Sequence, residues 1–443
     1  MNLNREIFRL TVPAVISNIT MPLLALCDTS IAGHLGSELF IGAIAVGGMM
    51  FNVIFWLFGF LRMGTTGLAA QSFGAGGLER TVPVLWRALL LAFGAGLLIV
   101  AFCIPIRQLF LTLISPEPAV AAPAARYFLI CVLGAPATLS TMSIQGWLLG
   151  TQTTFLPMLV TVSVNLLNIV SSLLFVYAGG LGFDGVAYGT LLATWAGLFL
   201  AIAAAKYRLR DRSARVPMRQ VTDHKALGRF FRVNTDIFFR SACIMATSMT
   251  VTAIGARLGS VTLATNQVMI QFFIFFSYFM DGFSFCGEAL CGRFAGARDR
   301  ENLLRSVRLL LGWSAVMAAA FLLIYLTAWR SIIALITDNR EVLANVGNYR
   351  FFLFLIPPLS VLAFIYDGFF IGLTATRRML WVTLAASLIF AAVCFVHPFG
   401  PKLIALPDNT TLLSAFLCYL TARGVLLAVQ SRPVFSLAKT LPA

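Results

Sequence analysis

Apolar runs of about twenty residues or more recur along the whole chain, and each is long enough to carry an α-helix across the roughly 30 Å hydrocarbon layer of a bilayer. Inside that layer the backbone finds no water, so a spanning segment must satisfy its own N–H and C=O groups, which a helix does turn by turn. The expected fold class is therefore an all-α polytopic membrane protein. Hydrophobic residues make up 59% of the sequence and charged residues only 11%. That balance leaves no aqueous stretch long enough to fold as a soluble domain.

Gly, Pro and charged residues punctuate the apolar runs into twelve expected spans. Six occupy 7–32, 39–73, 84–110, 124–149, 155–177 and 186–205, and six more occupy 235–256, 263–294, 307–326, 342–371, 380–395 and 412–429. Between the two sets, residues 206–232 form a polar run rich in Lys and Arg with Pro217 near its middle. The domain expectation is an N-terminal lobe at 1–205, a basic cytoplasmic linker at 206–232 and a C-terminal lobe at 233–443. Arg5 and Arg9 precede the first span without a small-residue cleavage site, so that helix is expected to stay in place.

The two halves repeat. IQGWLLG at 144–150 pairs with YDGFFIG at 366–372 at an offset of 222, and the same offset pairs Tyr127 with Tyr349 and Pro136 with Pro358. LGS at 35–37 recurs at 258–260, and FGAG at 73–76 is similar to FAGA at 294–297. Six spans per half is an even number, so both halves enter the membrane in the same orientation. Transporters with such parallel repeats place their sites at or within the lobes and alternate access between them.

A net charge of +15 would suggest nucleic acid in a soluble protein. In a polytopic membrane protein the same excess reads as cytoplasmic loops enriched in Lys and Arg, which puts both termini in the cytoplasm and leaves nucleic acid out. The eight cysteines, Cys27, Cys103, Cys286 and Cys291 among them, show neither paired ligand spacing nor a disulfide framework. His34, His224 and His397 are too scattered for a metal site. The GxGxxG of Gly180, Gly182 and Gly185 lies between membrane spans, where no strand precedes it, and so carries no nucleotide-binding meaning. The expectation is no cofactor, no metal and no enzyme, since no nucleophile, acid–base or metal constellation stands out.

Ionisable and polar residues inside the spans are the candidates for function, because a charge at mid-bilayer costs about 3 kcal/mol on insertion scales and must face protein or water. In the first span Asp28 follows Asn18, Met21 and Pro22. Pro22 has no N–H to donate, which frees the Asn18 carbonyl and is expected to let the helix bend. Arg62, in FLRMGTTGL at 60–68, needs acceptors, and Asp28, helix-terminal carbonyls or snorkelling to the interface would each provide them. Asn165, Asn168 and Thr190 offer hydrogen-bonding oxygens, although such residues commonly join helices. Asn18, Met21, Pro22, Arg62 and Asn165 form the expected substrate cavity and helix bend. In the second half, Asp236 and Arg240 are spaced for an ion pair on one helix face. Asp281, Glu288 and Asp367 complete the expected second-lobe polar network. Methionine and aromatic stripes, such as Met49, Met50, Phe51, Phe55 and Trp56 or Phe272, Phe273, Phe276 and Phe279, either line a cavity for flat lipophilic cations or pack as core.

CDTSIAGHLGS (27–37), FLRMGTTGL followed by AQSFGAG, GWLLG, NTDIFFRS (234–241), GARLGS (255–260) and DGFSFCGEA (281–289) together resemble the DinF branch of the multidrug and toxic compound extrusion family. The similarity is read from the first span to the tenth and fades over the last two, where 398–407 has no counterpart. The resemblance implies two six-helix pseudo-symmetric lobes around a central cleft. It also implies an efflux antiporter of the bacterial inner membrane, a monomer exporting small lipophilic or cationic molecules. The family's first-helix aspartate falls on Asp28, its asparagine on Asn168 and its threonine on Thr190, while its second acid falls on Ser172. One carboxylate where two are usual points to H+ as the coupling ion, with Na+ the less favoured choice because it prefers several oxygen ligands. A flippase of lipid-linked sugars or amphipathic lipids is the other transport reading, given basic inner loops that suit anionic headgroups.

Overall fold

The computed structural model describes residues 2–34, 38–210, 218–395 and 408–437. The repeat partner at 35–37, Pro217 in the linker, His397 and the 398–407 segment lie outside the described residues. Among the described residues every regular element is helical. The helices are α1 (Leu3–Gly33), α2 (Glu38–Leu57), α3 (Phe60–Gly76), α4 (Val82–Ala101), α5 (Cys103–Ile114), α6 (Pro118–Cys131), α7 (Ala135–Gly150), α8 (Phe155–Leu173) and α9 (Phe183–Leu209). They continue with α10 (Met218–Val221), α11 (His224–Arg257), α12 (Ser260–Gly296), α13 (Arg300–Ile336), α14 (Arg340–Gly372), α15 (Thr376–Phe395) and α16 (Asn409–Leu437).

Twelve segments among the described residues are long and apolar enough to cross a membrane, in the order that the apolar runs foretold. Three of the expected spans are subdivided. The second is α2 and α3 separated at Phe58 and Gly59, and the third ends at Ala101, after which α5 is a separate short apolar helix. The fourth is α6 and α7 joined by a tighter 3-10 turn at Val132–Gly134. Polar side chains fix helix starts outside the apolar layer. Asn339 accepts the backbone N–H groups of Glu341 and Val342 ahead of α14, and Asp299 accepts that of Asn302 at the start of α13. The Asn302 side chain and backbone hold the Asp299 carboxyl below the usual carboxylate range.

The chain divides into two compact units, Val12–Asn234 and a second made of Met1–Thr11 with Thr235–Ala443. The second unit therefore includes the first turns of α1. Glu6 bonds Arg293 at 2.5 Å, Trp313 Nε1 donates to Asn4 Oδ1 at 3.1 Å, and Phe8 meets the Trp313 ring edge-on.

The internal repeat is written into the packing of each unit. A Cβ on Gly146 in α7 would strike the Arg62 carbonyl of α3, and one on Gly150 would strike the Thr66 carbonyl a turn later. In the second unit Gly368 and Gly372 of α14 meet the Ser284 and Glu288 carbonyls of α12 in the same way. Each of these four pairs of positions differs by 222 residues. Small residues four apart let membrane helices approach backbone to backbone, which is what the GWLLG and GFFIG segments encode. The turns repeat as well, since Gln152 and Thr374 both adopt positive φ, as do Gly77 and Arg298.

Candidate functional site

Asp28 sits five residues before the end of α1 and is 9% exposed. Its Oδ1 has no hydrogen-bond partner among the described residues. The charge on Asp28 reaches Tyr127 and Cys131 of α6, and Tyr127 lies against Thr190 of α9. From α8, Asn168 and Ser171 bond to α9 and Ser172 bonds to Asn168, so these side chains connect to Asp28 through Thr190 and Tyr127. The side chains form a directed chain: Ser172 Oγ donates to Asn168 Oδ1 at 3.2 Å, Asn168 Nδ2 donates to Thr190 Oγ1 at 3.2 Å, and Thr190 Oγ1 donates to the Val186 carbonyl at 3.0 Å. Ser171 Oγ crosses to the Gly189 carbonyl at 3.1 Å.

The helical period explains this gathering. Asn165, Asn168 and Ser172 recur at three- and four-residue steps and so share one face of α8. Gly189 lets α9 close against that face, because any Cβ there would strike Ser172. A π-turn at Leu174–Ala178 follows directly, a wider coil that interrupts the regular ladder and often accompanies functional positions. Ser172 is fully buried, and an acid in its place would have to displace the α9 backbone.

The structure thus brings Asp28, Asn168, Ser172 and Thr190 to one region of the first unit. Asn165 is tied elsewhere on α1, donating through Nδ2 to Thr20 Oγ1 at 3.0 Å, two residues before the internal Pro22. Asn18 and Pro22 are half-buried on α1, Met21 is exposed, and Arg62 is half-buried on α3 with its carbonyl under Gly146. Tyr127 and Cys131 were not among the residues singled out as site candidates in the sequence. A tyrosine whose repeat mate is Tyr349 was legible only as part of the repeat, and nothing local marks it as a neighbour of Asp28.

In the second unit the expected Asp236–Arg240 pair is not what forms. Asp236 Oδ2 accepts from Thr376 Oγ1 at 2.8 Å, while Arg240 and Arg423 both bond Asp367 Oδ2. Arg423 is the member that the sequence reading passed over, although a guanidinium in a span always demands an acceptor. A Cβ on Gly424 would strike Ala363 and Leu362, so α16 lies close against α14 and brings Arg423 to Asp367, one turn along from Ala363. Arg240 reaches the same carboxylate from α11, while Asp236 is taken by Thr376. Asp281 is half-buried on α12 and acts on Tyr278, and Glu288 is buried with its carbonyl against Gly372.

Phe273 lines an apolar pocket with Val251, Met269, Phe352 and Phe416, whereas Phe272 and Phe276 pack against Tyr325 and Phe321 in the core. Met50 is fully buried and Phe51 stacks on Phe128, leaving Met49 and Trp56 exposed. No group of three or more His, Cys, Asp or Glu is placed to hold a metal among the described residues.

Two repeated six-span units, each with its own intramembrane polar cluster, define the class as a polytopic membrane protein of transporter type. The MatE family model matches residues 13–174 and 237–396, and the chain belongs to that family. It is 35% identical to DNA damage-inducible protein F of Escherichia coli over 96% of this chain and 91% of that protein. It is 24% identical to a probable multidrug resistance protein NorM of Thermotoga maritima, over 70% of this chain and 67% of that one. A crystal structure of MATE in the bent conformation superposes with a TM-score of 0.85 at 18% identity, covering 99% of this chain and 97% of the other. The similarity therefore reaches past the tenth span, where the sequence reading ended it. The family match includes α15.

Proposed function

We propose that the protein is a secondary active transporter of the bacterial inner membrane, with both termini in the cytoplasm. It exports lipophilic or cationic compounds in exchange for protons by alternating access. The observation that carries this reading is Asp28, a buried acid whose Oδ1 lacks a partner and whose surroundings are neutral hydroxyl, amide and thiol groups. Such a group gains or loses a charge without breaking an ion pair, so protonation changes the interactions of α1 directly. An ion drives transport only if it binds the two access states unequally, and a carboxyl that is desolvated in one state and hydrated in the other meets that condition. Pro13 and Pro22 inside α1 leave carbonyls without their usual helical partners, which gives the helix places to bend when Asp28 changes charge.

Protons are favoured over sodium by the hydrogen-bond chain. Asn168 Oδ1 and Thr190 Oγ1 accept from Ser172 and Asn168, so the neutral oxygens that a hard cation would need are already engaged with one another. The test is export from proteoliposomes under separately imposed proton and sodium gradients. A pH gradient alone is expected to drive export in the wild type and not in Asp28→Asn. Export at equal pH that needs sodium would overturn the proton assignment, and intact proton-driven export in Asp28→Asn would overturn the role of Asp28.

A further inference from the structure

The second unit buries more positive than negative charge at one point. Arg240 and Arg423 are 4% and 6% exposed, and both spend an Nη2 on the same oxygen of a single carboxylate, Asp367 Oδ2. Among the described residues the groups acting on the two guanidinium groups are Asp367 and the Tyr419 hydroxyl, which act on both, and Arg423, which acts on Arg240. Asp236, Asp281 and Glu288 are not among them. Arginine does not deprotonate in proteins, so the cluster carries a net +1 inside a helix bundle. An uncompensated buried charge is strongly destabilising.

The hydrogen-bond inventory points the same way. Among the described residues, Arg240 Nε and Arg423 Nε are buried donors without a hydrogen-bond partner, and Asp367 Oδ1 is also unpartnered. Nε and Nη2 belong to one planar guanidinium, so both orphan donors lie within a side chain's breadth of the shared carboxylate oxygen. A water molecule would satisfy the donors and leave the charge. An anion satisfies both.

We infer that the Arg240–Asp367–Arg423 cluster is a binding site for one monovalent anion, a halide or the carboxylate of a small organic molecule. This site is separate from the Asp28 cluster and does not depend on the proton reading. Binding at a site present only in the folded state raises the unfolding temperature with a saturating dependence on ligand.

The experiment is thermal unfolding of the purified full-length protein at constant ionic strength, with isethionate replaced stepwise by chloride in one arm and by acetate in another. The wild type is expected to gain about 3 °C with saturation in at least one arm. Arg423→Gln, which leaves a neutral Arg240–Asp367 pair, is expected to lose that gain and to be no less stable than the wild type in isethionate. Response to chloride alone assigns an inorganic anion, and response to acetate alone assigns a carboxylate-bearing molecule. Identical unfolding of the wild type in all three anions overturns the site, as does an equal anion response in Arg423→Gln. Should Arg423→Gln fail to fold, equilibrium binding of radiolabelled chloride or acetate to the wild type decides: saturation near one per chain supports the site, and no saturable binding overturns it.

Discussion

The two units share a packing plan and differ in what they do with intramembrane charge. In the first, one acid, Asp28, stands among neutral groups, and its partners form a chain that bonds chiefly to itself. In the second, Asp367 is clasped by two arginines. An acid clasped by two guanidinium groups makes two charge-assisted bonds and acts as a structural anchor, whereas an acid among hydroxyls makes none. The contrast teaches that the same residue type in a membrane span is fixed by cations or left among neutral groups according to the helices packed around it.

That comparison is most directly broken at its two acids. Asp28→Asn is expected to cut proton-driven export to the level of empty vesicles while leaving the thermal unfolding midpoint close to wild type. Asp367→Asn is expected to do the reverse in kind, destabilising the fold by about 3–5 kcal/mol because two buried guanidinium groups lose the carboxylate they share. Comparing yield, unfolding midpoint and transport for the two variants separates the roles. A stable, fully active Asp367→Asn would remove the distinction.

The shared packing plan is tested at equivalent glycines. Gly146→Ala and Gly368→Ala each push a methyl into a facing carbonyl and are expected to destabilise by similar amounts, about 1–3 kcal/mol, in chemical or thermal unfolding. A large effect at one position and none at the other would show that the repeat in sequence is not a repeat in energetics.

The smallest expected effect lies outside the membrane. Asp299→Ala removes the side chain that caps α13 and is expected to cost about 1 kcal/mol. Because Asn302 depresses the folded-state pKa of Asp299, the ionised cap's contribution is present above the unfolded pKa and fades as pH falls through the folded value. The wild type and the variant should therefore converge in stability in acid and separate near neutrality.

Much of this molecule was legible in order along the chain. The twelve spans follow from run length, since a bilayer imposes a minimum on every helix that crosses it. The repeat follows from GWLLG and GFFIG, because a backbone contact tolerates only small residues and leaves its spacing in the sequence. Asp28 stood out because charge inside an apolar run is costly and conspicuous. Asn168 and Thr190 stood out as polar residues inside spans and were grouped with Asp28 by resemblance, while their hydrogen bond to each other came from the fold.

What the sequence could not decide is which polar groups meet across helices. Asp236 and Arg240 are one turn apart and were expected to pair, yet Arg240 goes to Asp367, 127 residues away, and Arg423 joins it. Tyr127 and Cys131 reach the Asp28 cluster from α6 with no local mark of that destination. The first turns of α1 belong with the second unit while Asp28 on the same helix belongs with the first. Local properties such as span length, small-residue spacing and the cost of a buried charge depend on neighbours in the chain, so sequence alone determined them. Partner choice depends on which helix faces come together, and a close contact such as Gly424 against Ala363 settles it only in three dimensions.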